Sequence, residues 1–378
     1  MRRFATFVLV PLAIASGTAL SAQRQSTPIG SQRAHVDERL RDVVARGHKW
    51  LASQQHPSGY WSQEVGFKLN SDYRITSDGP VPHVGVTALA LMSFLAGGHL
   101  PDRGEYGQVL SRGLDYILNC IGENGYISDN GTRMYSHAFA TLLLAEVYGM
   151  TKRADVRQRL QDSVNLIVDS QNAEGGWRYK PFARESDMSI TVCQVLALRS
   201  SRNVGVMVPA STIRLAELYV ERSAVTDGGG PYRGLHRYGG MLEEGGAFRY
   251  QIQPHSRATF PLTAAGVTTL FAAGSYDHRM VVPALEYLEK NMDHFNRSFG
   301  PEGHYFFYYG HYYAVQAFYI AGGDKWNLYF STMKRDLYAM QRASGEWPCE
   351  TGPGPAFGTA IATLVLQIPF QYLPIFQR

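Results

Sequence analysis

Gln55-His56-Pro57-Ser58-Gly59-Tyr60-Trp61 recurs as Gln171-Asn172-Ala173-Glu174-Gly175-Gly176-Trp177 and again as Gln341-Arg342-Ala343-Ser344-Gly345-Glu346-Trp347. All three fit Gln-x-x-x-Gly-x-Trp, and each links a polar-faced helix to a more apolar one. Gln suits the free backbone groups at a helix end, Gly takes the left-handed cap, and Trp covers the joint between neighbouring hairpins. Removing one such buried Trp costs about 3–5 kcal/mol.

Working outward from these turns, the same two-helix unit recurs along the chain. First helices such as Val36 to Gln54, Val156 to Val168 and Pro283 to Met292 keep one charged face. Second helices are expected to start near His83, Tyr135, Asp187, Pro261, Tyr309 and Ala356. Runs such as Val86-Thr87-Ala88-Leu89-Ala90-Leu91-Met92 are small and apolar on most of their circumference, so they belong where every side is buried. The expected fold is all-α, an (α/α)6 toroid or barrel of six helical hairpins, with the last hairpin packed on the first.

Composition excludes several classes. Of 378 residues 45% are apolar, and 36 Lys and Arg face 32 Asp and Glu, so the chain is neither disordered nor collagen-like. A charge of +4 without a basic block gives no electrostatic footprint for nucleic acid. Met1-Arg2-Arg3, an apolar stretch from Phe4 to Ile14 and small residues ending near Ala22 read as a cleaved signal peptide over residues 1–22. That stretch is too short to span a bilayer of about 30 Å, and no integral membrane segment is expected after cleavage. Residues 23–35 are expected to be a flexible mature N-terminus, and 36–378 a single toroid domain with a Gly-rich insertion at about 227–258. The expected location is secreted or periplasmic, in a bacterial cell envelope. Cys120, Cys193 and Cys349 are odd in number and widely spaced, so no disulfide framework or Cys-x-x-Cys site can be written, and one bridge between two of them stays open.

Arg46-Gly47-x-x-Trp50-Leu51-x-x-x-Gln55-x-x-x-Gly59-x-Trp61 resembles the repeat signature of squalene and hopene cyclases and their relatives. The resemblance extends in repeat form over the mature chain. It implies the terpenoid cyclase/protein prenyltransferase toroid superfamily, and within it the secreted bacterial prenyltransferase/squalene oxidase repeat proteins. In the cyclases, Asp-x-Asp-Asp-Thr carries the acid that protonates the alkene. The matching segment here is Asp187-Met188-Ser189-Ile190-Thr191, with Ser189 at the acid's place. A serine hydroxyl cannot perform that protonation. Among the prenyltransferases, His311 resembles a zinc ligand, but the preceding repeat offers Pro261-Leu262-Thr263 instead of Asp-x-Cys. Asp187 and His255 are the other conceivable ligands, and zinc needs three. No cofactor and no metal are expected.

Aligning the second helices puts His83, Tyr135, Asp187 and Tyr309 in one layer at the cavity end, with His137, Ser189 and His311 one turn deeper. Asp187, His137 and His311 are the candidate catalytic groups, since His titrates near neutrality. His83, Tyr135, Ser189, Tyr305, Tyr309 and Tyr312 are the candidate ligand-binding residues. The aromatic run Tyr305-Phe306-Phe307-Tyr308-Tyr309 suits an isoprenoid chain, a carbocation or a sugar ring. Arg133, Arg184, Arg249 and Arg257 are placed to meet an anionic head group at the mouth. The tail from Pro369 to Arg378 is aromatic and is expected to pack along the toroid, with docking of a protein partner as its other reading.

These observations leave three functions open. The first is an isoprenoid or other largely apolar ligand bound or transformed in the central cavity. The second is a non-catalytic binding or scaffold protein on the same fold, and the third a polysaccharide lyase or hydrolase acting on a glycan.

Overall fold

A computed structural model describes residues 36–69, 72–226 and 245–376. The signal peptide expected at 1–22, the N-terminus 23–35 and residues 227–244 of the expected insertion lie outside the described residues. The helices are α1 Glu38–Gln54, α2 Val84–Ala96, α3 Gly107–Asn119, α4 Met134–Thr151, α5 Ala154–Asp169, α6 Met188–Asn203, α7 Ala210–Ser223, α8 Phe260–Ala273, α9 Val281–Phe299, α10 Tyr305–Ala321, α11 Gly323–Met340 and α12 Pro355–Gln367.

Odd-numbered helices form an outer ring and even-numbered helices an inner one. Every residue of α2 is buried, as its lack of a polar face dictates. By contrast α1 buries only the stripe Leu40, Val43, Val44, Gly47, His48 and Leu51. Each inner helix packs against the next, and α12 packs against both α2 and α1, so the ring is closed. The inner helices start where the sequence places them, except α10. His304 caps α10 by accepting the Phe306 N–H at 3.0 Å, so the helix begins at Tyr305, one turn before Tyr309.

The three turns act as joints with divided labour. Gln55, Gln171 and Gln341 donate from Nε2 to the carbonyls of Val109, Thr212 and Val43, at 2.8, 2.9 and 2.9 Å, each in the first outer helix of the next unit. The same nitrogens bond the carbonyls of Gly59, Gly175 and Gly345. Trp61, Trp177 and Trp347 instead fasten their own hairpins. Their Nε1 groups donate to Leu51, Ile167 and Leu337, and their backbone N–H groups reach Thr87, Thr191 and Thr359 Oγ1 on the inner helices. Glycine is required at the centre of the turn: Gly345 has φ +109°, and a Cβ there would lie 2.5 Å from the Arg46 carbonyl.

One element had no sequence forecast. Between the first turn and α2, β2 Gly66–Leu69 pairs antiparallel with β3 Asp72–Ile75, framed by the short pair β1 Ser62–Gln63 and β4 Val81–Pro82. This hairpin lies over the N-terminal end of the inner ring. At the opposite end the tail forms two 3-10 turns that pack on α4, α6, α10 and α12. Leu373 and Ile375 are buried there, and Tyr372, 51% exposed, faces outward. All three cysteines are free thiols.

Candidate functional site

A cavity of about 150 Å³ opens at the N-terminal end of the inner helices. Four inner helices and the β2–β3 hairpin build its walls. His83, Tyr135, Tyr305, Tyr309 and Tyr312, five of the six candidate ligand-binding residues, line it. Phe67, Tyr73, Phe139, Tyr179 and Phe357 line it as well. Helix geometry stacks these groups. Tyr305 is the first residue of α10 and Tyr312 the eighth, so at about 1.5 Å per residue Tyr312 lies roughly 10 Å deeper. Phe139 meets Tyr312 edge to face at 5.8 Å, and Tyr135 meets Tyr309 in the same way at 6.4 Å. Such edge-on pairs are the favoured contact of two π systems.

The lining carries little charge. Among the described residues Arg133 is the only charged side chain on it, and its guanidinium lies 5.3 Å from the centre of the Phe67 ring. Arg257 instead covers the Tyr250 ring, Arg249 donates to the Ala224 carbonyl, and Arg184 is exposed. His83 caps α2 by accepting the Val86 N–H at 3.2 Å, and burial lowers its pKa to about 4. It faces the cavity as a neutral imidazole.

The three candidate catalytic groups are placed elsewhere. His137 takes the position that Thr87, Thr191, Thr263 and Thr359 hold in other units. Its Nδ1 accepts the Ile127 N–H at 3.1 Å, as Thr263 Oγ1 accepts that of Phe248. It points outward into its own turn, and burial holds its pKa at about 3. His311 also points outward, between α9 and α11, where its ring nitrogens bond Asn296 Oδ1 at 2.8 Å and Tyr329 Oη at 2.9 Å. Burial holds it at about 3 too.

Asp187 is the N-cap of α6. Its Oδ1 accepts the Ile190 N–H at 2.9 Å, and the residue is fully buried behind the cavity wall. There it acts on the tyrosines: burial first and the Asp187 charge second push the Tyr179 hydroxyl up to about 12. That hydroxyl bonds Tyr250 Oη at 2.8 Å. Ser189 is buried in the first turn of α6, near Tyr309. Neither Asp187 nor Ser189 lines the cavity. Among the described residues no three His, Cys, Asp or Glu side chains gather in a metal-binding group.

The hairpin residues Phe67 and Tyr73 escaped the sequence reading because strand alternation there is too short to mark a face. Tyr179 had a signal that went unused, since it follows the turn residue Trp177 by two.

Comparison with known proteins supplies the frame. No family model and no curated protein matches the chain. Solved structures do match. An α-1,6-mannanase of glycoside hydrolase family 76 from Salegentibacter is 10% identical, with a TM-score of 0.58 over 87% of this chain and 98% of its own. The fold is the α/α toroid. A type II terpene cyclase from Scytonema, in complex with geranylgeranyl dihydroxybenzoate, is 11% identical with a TM-score of 0.54 over 91% of this chain and 99% of its own. A protein from Actinoplanes is 13% identical with a TM-score of 0.52 over 88% and 99%. At these identities the likeness concerns architecture. In this toroid no helix among the described residues is long and apolar enough to cross a membrane.

Proposed function

We propose that this toroid is a binding protein, exported from a bacterial cell, whose aromatic cavity seats part of an isoprenoid or similarly apolar ligand. The observation that carries the reading is the cavity lining itself: mostly aromatic and aliphatic side chains beside His83 and Arg133, with no carboxylate among its described residues. Burying a prenyl unit against such walls gains about 25 cal/mol for each Å² removed from water. The terpene cyclase from Scytonema, matched over 91% of this chain, supports the choice of ligand through the prenylated substrate in its complex.

Catalysis by protonation or glycosidic cleavage is disfavoured on the same ground. Alkene protonation needs an acid that touches the substrate. Glycoside hydrolysis uses two carboxyl groups flanking the scissile bond. Asp187, the acid behind Tyr135 and Tyr179, is engaged in capping α6.

The test is a titration with farnesene, a ring-free prenyl hydrocarbon, followed by intrinsic tyrosine and tryptophan fluorescence. The reading expects saturable binding that is lost when Ile361→Trp fills the cavity. Absence of saturable binding of both farnesene and toluene to the wild type overturns it and favours a scaffold on the same fold.

A further inference from the structure

Tyr312 is buried to 2% exposure and lines the inner end of the cavity, yet its hydroxyl has no hydrogen-bond partner among the described residues. Leaving a buried hydroxyl unsatisfied costs about 1–3 kcal/mol, so packing alone would favour Phe at this position. The hydroxyl is therefore best explained by an occupant that brings a polar atom to it. Tyr313 also has an unpartnered hydroxyl, but it does not line the cavity.

Size narrows the occupant. A cavity of about 150 Å³ is the volume that holds one benzene ring in an engineered apolar protein interior. A long prenyl chain exceeds it, whereas a single flat ring fills it. The walls suit such a ring: Phe139 stands edge-on to Tyr312, and Tyr135 edge-on to Tyr309. Tyr73 and Arg133 also line the cavity, and the remainder of a longer molecule lies outside it.

We propose that the occupant is the oxygenated six-membered ring of a prenylated phenol or quinone, inserted ring first, with its oxygen hydrogen-bonded to Tyr312 and its prenyl tail leaving through the mouth. This rests on the apolar-ligand reading and adds the identity of the head and its direction of entry.

The experiment compares toluene with p-cresol, which share a ring and differ by one hydroxyl, in the wild type, Tyr312→Phe and Tyr313→Phe, with farnesene as the ring-free control. The preference for p-cresol over toluene should fall about fivefold in Tyr312→Phe and stay unchanged in Tyr313→Phe. The Tyr312→Phe protein should melt no lower than the wild type, because it loses an unsatisfied group. An unchanged preference in Tyr312→Phe overturns the inference. Binding of farnesene with neither ring compound bound overturns it too, while leaving the apolar-ligand reading intact. Failure of all three probes to bind overturns both.

Discussion

Gln341, in the last turn of the chain, donates from Nε2 to the Val43 carbonyl in the first outer helix at 2.9 Å. This bond repeats the Gln55 to Val109 and Gln171 to Thr212 joints, but it spans the seam where the ring closes. Gln341→Leu should therefore cost about 1–3 kcal/mol by stripping the donor from two carbonyls. Gly345→Ala should cost at least about 2 kcal/mol, because its φ of +109° strains any Cβ and the Arg46 carbonyl stands in the way. Urea unfolding of both variants checks the seam, and unaltered midpoints would refute its role.

His137 fills a position occupied by Thr in the neighbouring units, so it serves the fold. His137→Ala leaves the Ile127 N–H without its acceptor and should destabilise by about 1–3 kcal/mol. Farnesene affinity should stay within about twofold of wild type. A thermal melt paired with a binding titration separates the two effects.

Acid should destabilise the protein from near neutrality downward. His48, His137 and His311 are held at about 3 and His83 at about 4, in each case chiefly by burial. An unfolded His titrates near 6.5. These groups thus contribute fully above pH 6.5, and their contribution is lost as pH falls toward 3. Melting temperature measured from pH 7 to pH 4 should fall across that window.

Glu146 works with the opposite sign. It is buried where the tail packs, accepting from the Ser200 hydroxyl and the Ile375 N–H, and burial raises its pKa to about 7. The folded state favours the protonated acid, so stability from this group is present below pH 4.5 and declines as pH rises to 7. Glu146→Gln should stabilise by roughly 3 kcal/mol at pH 8 and have little effect at pH 5. Equal shifts at both pH values would contradict the assignment.

Tyr73, on β3, lines the cavity and is anchored through Oη to the Glu64 carbonyl at 3.1 Å. Tyr73→Ala should speed dissociation of a bound prenyl probe several-fold in stopped-flow displacement, with a lower melting temperature from the lost contact with Tyr305.

How much of this was legible beforehand follows from which interactions are local. Gln55, Gly59 and Trp61 work within one turn and its neighbour, so the toroid could be read from their spacing. Tyr135 and Tyr309 could be placed at the cavity end because the inner helices align on their apolar runs, whereas Tyr305 stood before the expected helix start and was picked out only by the aromatic run around it. His137 and His311 share a Tyr-x-His setting with a binding residue on the same helix, and nothing in that setting reveals that Ile127 or Asn296 claims the ring. The hairpin that carries Phe67 and Tyr73 gains its meaning only from where the closed ring places it.

If the aromatic cavity carries an apolar, prenylated ligand, the protein should retain it on isolation. Native mass spectrometry of the protein purified gently from its own cells tests it most directly. The expected result is a retained mass that fragments as a prenyl lipid and is absent from the Ile361→Trp variant. A protein that is empty as isolated, and still empty after incubation with a lipid extract of those cells, would contradict it.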